Sequence, residues 1–252
     1  MNDAAIQVKN LRKVYRIGKE QVVALDHIDF EIPTGQVCCI VGTSGSGKST
    51  LLNQLAGLEK PSKGQVLIGG KNISAFTENQ LARFRQRNVG FIFQSYNLLP
   101  AMTALENVCM PLIFRGADKL KREKAAKRIL REVGLQSRMR HRPSQMSGGQ
   151  QQRVGIARAF VASPRIIFAD EPTGNLDTAT TEEVMAMMVR LVRANDQTLI
   201  LVTHEPELAL YADRVITLRD GNIVSDTLNH SIVERPREEL EQEGEKDEQE
   251  NC

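Results

Sequence analysis

The hydrophobic and polar positions along this chain predict strands and helices in alternation. Four short runs, at residues 37–41, 89–93, 166–169 and 198–203, are almost entirely apolar and have the length of a strand. Continuous apolar runs of this length are typical of parallel strands that are buried on both faces of a sheet. The pattern therefore favours an α/β fold.

Helical periodicity follows the first of these runs and returns further along the chain. Leucines at helical spacing after residue 50 predict a helix that Pro61 must end. A second helix is predicted at residues 119–133, with Gly134 as its stop signal. The apolar positions assigned to the two helix faces are Leu51, Leu55 and Leu58 in the first, and Leu120, Ile129, Leu130 and Val133 in the second.

Strand-like alternation near both ends of the chain predicts two further strand pairs. Residues 6–11 and 22–32 alternate around a turn at Gly18. Residues 214–218 and 222–224 are joined through an Asp-Gly turn, which is typical of a closing hairpin.

Composition limits where the chain can work. Of 252 residues, 41% are hydrophobic and 25% are charged, and no apolar run approaches the roughly 18 residues of a membrane span. The N-terminus lacks the basic and then apolar plan of a secretion signal, so we expect a cytoplasmic chain that reaches membranes only through a partner. The four cysteines form no C-x-x-C pair and are expected to be small core side chains, with adjacent Cys38 and Cys39 on opposite faces of their strand.

The net charge of +2 hides an acidic C-terminal segment. Residues 234–252 carry nine acidic and three basic side chains, a charge of −6, which leaves +8 on residues 1–233. The segment has almost no apolar side chains and is predicted to be a disordered tail that contributes solubility. Residues 1–233 are predicted to form the folded domain.

The run of small residues after the first apolar strand carries the main chemical signal. It fits G-x-x-x-x-G-K-[ST], a phosphate-binding loop between a strand and a helix. Glycines let the backbone close around a polyphosphate, and the helix N-terminus adds the positive end of its dipole. Lys48 is expected to reach the β- and γ-phosphates, Ser49 to ligate Mg²⁺, and Thr50 to hold an inner phosphate oxygen. The predicted nucleotide-binding residues of the loop are Gly42, Thr43, Ser44, Gly45, Ser46, Gly47, Lys48, Ser49 and Thr50.

Two adjacent carboxylates follow the apolar run at residues 166–169. Asp170 is expected to hold Mg²⁺, and Glu171 to polarise the attacking water as a general base. Gln94 and His204 also come directly after apolar strands, and Gln94 is placed to reach Mg²⁺ or a water. All four side chains are therefore expected to meet at the carboxyl edge of the sheet, where α/β proteins bind ligands.

A second potential anion site opens another helical stretch. The sequence Ser147, Gly148, Gly149, Gln150 places a capping serine and two glycines at a helix start. Asp177 can cap the helix that follows the two carboxylates. Tyr15 could present its ring to a nucleotide base, although a tyrosine at a strand end is more often a packing residue.

In this order, the motifs resemble those of the ATP-binding cassette (ABC) ATPases over roughly residues 4–228. The resemblance implies roles for individual side chains. Tyr15 is then the A-loop aromatic that stacks on adenine, and Gln94 is the Q-loop residue. Asp177 belongs to the D-loop, and His204 is the switch histidine that contacts the γ-phosphate.

The family resemblance also implies a fold and a dimer. The fold is a RecA-like α/β core of the P-loop NTPase type with an antiparallel β-subdomain and an inserted α-helical subdomain. The helical subdomain, at about residues 95–160, carries the signature element, residues 147–150. A head-to-tail homodimer sandwiches two ATP molecules, each held by the phosphate loop of one subunit and the signature element of the other.

Finer motifs resemble one branch of the family, the ATPases of lipoprotein-release, macrolide-export and cell-division systems. These motifs lie at residues 93–100, 105–108 and 170–177. The resemblance implies an ATPase that drives an integral membrane permease in export or extraction, from the cytoplasmic face of the inner membrane as a peripheral subunit. The sequence stops at Cys252 without a membrane domain, so the permease is expected on a separate chain.

Two alternatives remain at this stage. A soluble ABC ATPase could act on DNA or ribosomes, but the 98 residues between Lys48 and Ser147 lack the sustained heptads of a coiled coil. The basic run at residues 83–87 is better explained as a solvated helix face, so no nucleic-acid partner is expected. A phosphoryl-transferring kinase is disfavoured by the signature element and by Glu171 directly after Asp170.

Overall fold

The computed structural model describes residues 4–229, which form ten strands and six α-helices. The acidic segment at residues 234–252, including Cys252, lies outside the described residues. The strands are β1 (Ala4–Ile17), β2 (Glu20–Pro33), β3 (Val37–Val41), β4 (Lys63–Ile68), β5 (Lys71–Asn72), β6 (Val89–Phe93), β7 (Ile166–Asp170), β8 (Thr198–Thr203), β9 (Arg214–Arg219) and β10 (Asn222–Leu228). The helices are α1 (Lys48–Leu55), α2 (Glu78–Asn88), α3 (Ala104–Phe114), α4 (Lys119–Glu132), α5 (Gly148–Phe160) and α6 (Thr178–Ala194).

The larger sheet contains the four apolar runs that the sequence pattern assigned to strands. Its six strands lie in the order β10-β9-β3-β8-β7-β6. All neighbouring pairs are parallel except β9 with β10, which form the closing hairpin. The carboxyl ends of β3, β6, β7 and β8 therefore lie along one edge of the sheet, as predicted for the polar residues that follow them.

The smaller sheet is antiparallel and has the order β2-β1-β4-β5. Its long hairpin, β1 with β2, turns at Gly18, which has a positive φ of 63°. The two sheets and the intervening helices confirm the predicted fold class, an α/β core with an antiparallel sheet and a helical insertion.

Two hydrophobic cores cover opposite faces of the larger sheet. One lies under α3, α4, α5 and α6, and the other lies between the sheet, α1, α2 and the smaller sheet. Cys39 belongs to the first core and Cys38 to the second, which confirms that the adjacent cysteines face opposite sides. Burial raises the pKa of the Cys39 thiol to about 12. The methionines of α6 (Met185, Met187 and Met188) are core side chains as predicted.

The predicted helical position of Leu58 is wrong. Helix α1 ends at Leu55, and Gly57 takes a left-handed conformation with φ 64°. The Leu58 N–H then bonds to Asn53 O at 2.9 Å, as in a Schellman C-cap. Because this glycine stops the helix before Pro61 is reached, Leu58 leaves the apolar face and is 45% exposed.

The predicted placement of Leu120 on the same face as Ile129 is also wrong, although α4 forms where the pattern placed it. Leu120 is 82% exposed, whereas Ile129 and Leu130 are buried. Leu120 and Ile129 are nine positions apart, which is two and a half helical turns, so the two side chains lie on opposite faces. The Asp118 cap and the left-handed Gly134 bound the helix at its two ends.

Helices α3, α4 and α5 come between β6 and β7 in the chain, and they pack against one another. They occupy the region proposed for the helical subdomain, whose limits at about residues 95–160 stay a prediction, as does the domain limit at 1–233. Within residues 4–229, no helix has both the length and the apolar character needed to span a membrane.

Candidate active site

The phosphate loop joins β3 to α1 and requires glycine at two of its positions. A Cβ on Gly42 would lie 2.3 Å from Leu218 O. Gly47, with φ 101°, is the N-cap of α1, and a Cβ there would lie 2.5 Å from Ala24 O. The chain therefore packs against the loop from behind, and only glycine fits. Helix α1 begins at Lys48, directly after this glycine.

Lys48 lies inside its own loop. Its side chain is almost fully buried, and Nζ donates hydrogen bonds to Gly42 O and Thr43 O, both at 2.8 Å. Burial lowers the pKa of Lys48, while the carboxylates of Glu171 and Asp170 oppose that shift. The ammonium group is thus directed toward the centre of the loop, where a polyphosphate has its negative charge.

Ser49 and Asp170 meet across the edge of the sheet. Ser49 Oγ donates to Asp170 Oδ1 at 3.2 Å. Burial raises the pKa of Asp170, and the hydrogen bond from Ser49 works in the opposite direction. A hydroxyl beside a carboxylate is the oxygen donor set that Mg²⁺ prefers when it keeps most of its waters and binds substrate phosphates. Among residues 4–229 there is no cluster of three His, Cys, Asp or Glu that could hold a metal by itself.

Glu171 has an unusual backbone and a histidine partner. Its φ is 44°, in the left-handed region that non-glycine residues seldom adopt. Its N–H bonds to Val202 O at 2.9 Å, which fixes it at the end of β7. His204 Nδ1 lies 3.0 Å from Glu171 Oε1. Strained backbone of this kind is common where a side chain must be aimed into a functional site.

A cavity of about 450 Å³ lies above the phosphate loop and collects part of the predicted site. Glu171 lines this cavity together with residues of the phosphate loop. Other lining residues were not predicted from the sequence to belong to the site. The missed residues are Val22, Val23, Ala24, Asp220 and Gly221. The valines looked like ordinary strand residues, but they are 44% and 42% exposed. The loop residues that line the cavity are Ser44, Gly45, Gly47, Lys48, Ser49 and Thr50.

Ser46 and Thr43 shape the loop from inside. Ser46 is 2% exposed, and its N–H bonds to Thr43 O at 3.2 Å. Ser46 O accepts from Gly221 N at 3.0 Å, which links the loop to the β9–β10 turn. These backbone bonds hold the loop, and the neighbouring residues line the cavity.

Gln94 directly follows β6, beside the strand that carries Asp170. Its carbonyl accepts a hydrogen bond from Asn175 Nδ2 at 2.9 Å. A Cβ on Gly174 would lie 2.8 Å from Gln94 Nε2, so the side-chain amide packs on the backbone after Glu171. The position of Gln94 is therefore tied to the segment that contains the predicted D-loop.

The loop after Gln94 is held by two polar side chains, a half-buried arginine and a buried asparagine. Arg158 of α5 donates to Tyr96 O at 2.7 Å and also to Asn97 O. Asn107 of α3 is fully buried and binds the backbone of the same loop through both ends of its amide. Leu99 is 42% exposed in this otherwise anchored loop.

The signature element lies at a different place from the phosphate loop. Ser147 caps α5, its Oγ accepting from Gln150 N at 3.3 Å, while Gln150 Oε1 accepts from Ser147 N at 3.1 Å. Residues 147–150 and Asp177 line a second cavity of about 570 Å³, together with Arg138 and Arg153. Neither cavity contains residues of the other.

Asp177 is occupied in capping α6. Oδ1 accepts from Thr180 N at 3.0 Å, and Oδ2 accepts from Thr180 Oγ1 at 2.9 Å. The backbone hydrogen bond from Thr180 lowers the pKa of Asp177, and the bond from the Thr180 side chain acts in the same direction. Asp177 thus fixes the start of α6 beside the signature element, as a helix cap predicts.

Tyr15 lies beside the phosphate loop but does not line its cavity. Its hydroxyl donates to Glu59 Oε2 at 2.7 Å. Burial and the bond to Glu59 raise the pKa of Tyr15, while a hydrogen bond with Thr50 opposes them. The ring is thus placed near the loop, next to Val22 across the β1–β2 pair.

Asp170→Asn should raise the melting temperature of the nucleotide-free chain at pH 7. Because burial raises the pKa of Asp170, the folded state favours its protonated form. Such an acid contributes stability below its unfolded pKa of about 3.9, and this contribution is lost as the pH rises through the folded pKa. Asparagine still accepts the Ser49 bond without charge, so its advantage should shrink as the pH falls toward about 4. Thermal denaturation without Mg²⁺ checks this; a variant less stable than wild type at pH 7 would contradict it.

Comparisons with known proteins find similar proteins over most of the chain. A family model described as ABC transporter matches residues 25–174. The lipoprotein-releasing system ATP-binding protein LolD of Chromohalobacter salexigens is 42% identical over 225 residues, which cover 89% of this chain and 95% of that protein. The macrolide export ATP-binding/permease protein MacB of Vibrio parahaemolyticus is 45% identical over 233 residues, which cover 92% of this chain but 36% of MacB.

A solved structure is similar in both sequence and shape. It is the dimeric structure of a post-hydrolysis state of the ATP-binding cassette MJ0796 bound to ADP and Pi. The TM-score is 0.82 at 40% identity, and the match covers 88% of this chain and 98% of that chain.

Proposed function

Because the chain belongs to the ABC transporter family of ATPases, we propose that two copies of it close head to tail around two ATP molecules. Each site combines the phosphate loop of one copy with residues 147–150 and Asp177 of the other. One observation carries this proposal. The two groups of residues line separate cavities in a single chain, which supports a site that a second copy completes. The related MJ0796 cassette is dimeric in its structure with ADP and Pi, which supports a dimer of this chain.

Each side chain of the phosphate loop then has a distinct task. Lys48 binds the β- and γ-phosphates after exchanging its bonds with the Gly42 and Thr43 carbonyls, and Thr50 holds an inner phosphate oxygen. Ser49 and Asp170, with Gln94 nearby, would hold Mg²⁺, which neutralises phosphate charge during the transfer. The N–H groups at the capped N-terminus of α5 bind the γ-phosphate of the ATP that the phosphate loop of the opposite copy holds.

Glu171 acts as the general base that takes a proton from the attacking water. It lines the cavity above the phosphate loop, so its carboxylate is within the region where the γ-phosphate lies. His204 holds the Glu171 carboxylate from one side at 3.0 Å and can reach the γ-phosphate from the same strand edge. A positioned base of this kind contributes roughly 10²–10⁴-fold to a rate.

The named relatives favour a role in transport over the soluble alternative. One is the ATP-binding part of a lipoprotein-releasing system, and another joins an ATP-binding part to a permease. The chain therefore serves as the ATPase that drives an integral membrane permease on another chain, at the cytoplasmic face of the inner membrane, in export or extraction. The anchored loop at residues 94–102 is the proposed permease contact, because it links Gln94 to the exposed Leu99.

Affinity capture from detergent-solubilised membranes of the source cell tests this function. The chain is used in its Glu171→Gln form with ATP, and we expect an integral membrane protein in stoichiometric amount. Adding Leu99→Glu should reduce the recovery at least about tenfold, as loss of an interface anchor does. The matched control is Val224→Glu, since Val224 is 52% exposed on β10 at the opposite edge of the sheet. Recovery of ribosomes or DNA-bound proteins without a membrane partner would overturn the proposal.

A further inference from the structure

A polar cluster ties the ring of Tyr15 to the segment that follows α1. We call it the Glu59 cluster; it consists of Lys13, Tyr15, Asn53 and Glu59. Glu59 Oε2 accepts from Tyr15 Oη at 2.7 Å and lies 3.1 Å from Lys13 Nζ. Asn53 Nδ2 donates to Glu59 Oε1 at 3.4 Å. Lys13 Nζ also donates to Lys60 O at 2.9 Å.

The side chains of the cluster are shielded enough from water for their hydrogen bonds and ion pair to contribute binding energy. The Lys13 side chain is 14% exposed and that of Glu59 is 34% exposed. Burial by itself would raise the pKa of Glu59, but hydrogen bonds from Tyr15 and Lys13 hold it below its ordinary value. The carboxylate is therefore ionised at neutral pH and accepts charge-assisted bonds, which are stronger than neutral ones.

The cluster also sets which face of the Tyr15 ring is free. Lys13 Nζ stands over the ring, 5.0 Å from its centroid, as a cation–π contact. A nucleobase can then stack only on the opposite face. The hydroxyl of Tyr15 is directed to Glu59 and Thr50, so rotation of the ring away from this orientation would break both contacts.

The partners of Tyr15 belong to the same unit as the phosphate loop. Asn53 is part of α1, the helix that begins with Lys48, and Glu59 follows four residues after the end of that helix. By contrast, Tyr15 lies on β1 in the antiparallel sheet, 44 residues away from Glu59 in the sequence. The bond between them fixes the distance from the aromatic ring to the residues that bind phosphate.

We propose that Glu59 is a positioning residue for nucleobase recognition, which holds the Tyr15 ring at a set distance from the phosphate loop. The inference rests on the proposed ATP site and adds the residue that orders its base-binding side. Glu59 acts through Tyr15 and does not line the cavity above the phosphate loop, so its loss weakens the binding of the base without slowing the chemical step. The binding energy that it organises is shared by ground state and transition state, which appears in KM and not in kcat.

Steady-state ATP hydrolysis by the full chain tests the inference. Glu59→Ala should raise KM for ATP about tenfold, the effect of one charge-assisted hydrogen bond, and leave kcat within about twofold. Tyr15→Phe keeps the ring but removes the hydroxyl, and it should raise KM by a similar factor. The double variant should show no further increase, because both changes break the same bond. The matched control is Glu123→Ala, which removes a carboxylate paired with Lys127 at 3.7 Å on α4 and should leave KM unchanged.

A ligand without a base separates positioning from general stability. Inorganic tripolyphosphate should inhibit wild type and Glu59→Ala equally, since it binds only the phosphate loop. Equal loss of affinity for ATP and tripolyphosphate would overturn the inference, as would an unchanged KM in a folded Glu59→Ala. If Glu59→Ala does not fold, Tyr15→Phe gives the same test alone, and an unchanged KM there overturns the inference. An unchanged KM in Tyr15→Ala would instead refute base stacking itself, the role that the family resemblance implies for Tyr15.

Discussion

Replacing Glu171 by glutamine is expected to reduce ATP turnover by about 10²–10⁴-fold while ATP binding stays intact. Glutamine has nearly the same shape and can still face His204, but it cannot accept the proton of the attacking water. Because ATP binding closes the proposed dimer and hydrolysis reopens it, the variant should accumulate as an ATP-bound dimer. The backbone strain at this position is unaffected, since both side chains need the same left-handed φ of 44°.

Phosphate release and size-exclusion chromatography with ATP and Mg²⁺ measure the two effects of Glu171→Gln. The matched control is Glu78→Gln, which makes the same chemical change at an exposed position in the first turn of α2. We expect the control to keep wild-type turnover and to form no trapped dimer. Turnover of Glu171→Gln at the wild-type rate would refute the general-base assignment.

Ser147→Arg is expected to abolish most ATP hydrolysis without removing the ATP affinity of the single chain. Ser147 lies in the second cavity, away from the phosphate loop, so the arginine does not touch the nucleotide of its own chain. In the proposed dimer its bulk blocks the space where the other copy presents its γ-phosphate, so the composite site cannot close. The loss should be about 10²-fold or more, as for removal of groups that stabilise transition-state charge. Hydrolysis and equilibrium binding of a fluorescent ATP analogue are the two measurements.

Two comparisons make the Ser147→Arg result specific. Ser147→Ala removes only the helix cap, at a cost of about 1 kcal/mol in stability, and so measures the structural part of the effect. Mixing Ser147→Arg with Lys48→Ala should restore about a quarter of the wild-type rate, since half of the dimers are mixed and each mixed dimer has one intact composite site. Full activity of Ser147→Arg alone would contradict the composite-site model.

Much of the core could be predicted because its signals are local. The apolar runs gave β3, β6, β7 and β8 almost residue by residue, since a parallel strand that is covered on both faces has no polar position. Caps were equally local: Asp177 begins α6 and Ser147 begins α5, as their side chains require. The wrong assignments were of Leu58 and Leu120, and both concern the end of an apolar face. Gly57 ended α1 before Leu58 was reached, whereas Leu120 lies two and a half helical turns from Ile129 and so on the opposite face of α4.

The site was predictable in its residue types but not in all of its lining residues and contacts. Motif order placed Asp170, Glu171 and Gln94 at one sheet edge, where the structure puts them. No local pattern indicated that Val22 and Val23 open into the cavity, because strand periodicity does not show which exposed face lies beside a loop. The Tyr15–Glu59 bond joins residues 44 apart in the sequence. Such a contact follows from how β1 lies beside the segment after α1, and a single sequence contains no signal for it.

The left-handed backbone of Glu171 has a consequence for anyone who engineers this chain for thermostability. At such a position asparagine or glycine relieves conformational strain, so a screen that rewards only melting temperature would favour replacing Glu171. The same screen would also favour replacing the neighbouring Asp170, because burial disfavours its charged form. Robust variants from a library should therefore be sorted with positions 170 and 171 held constant, or the most heat-resistant ones will be inactive.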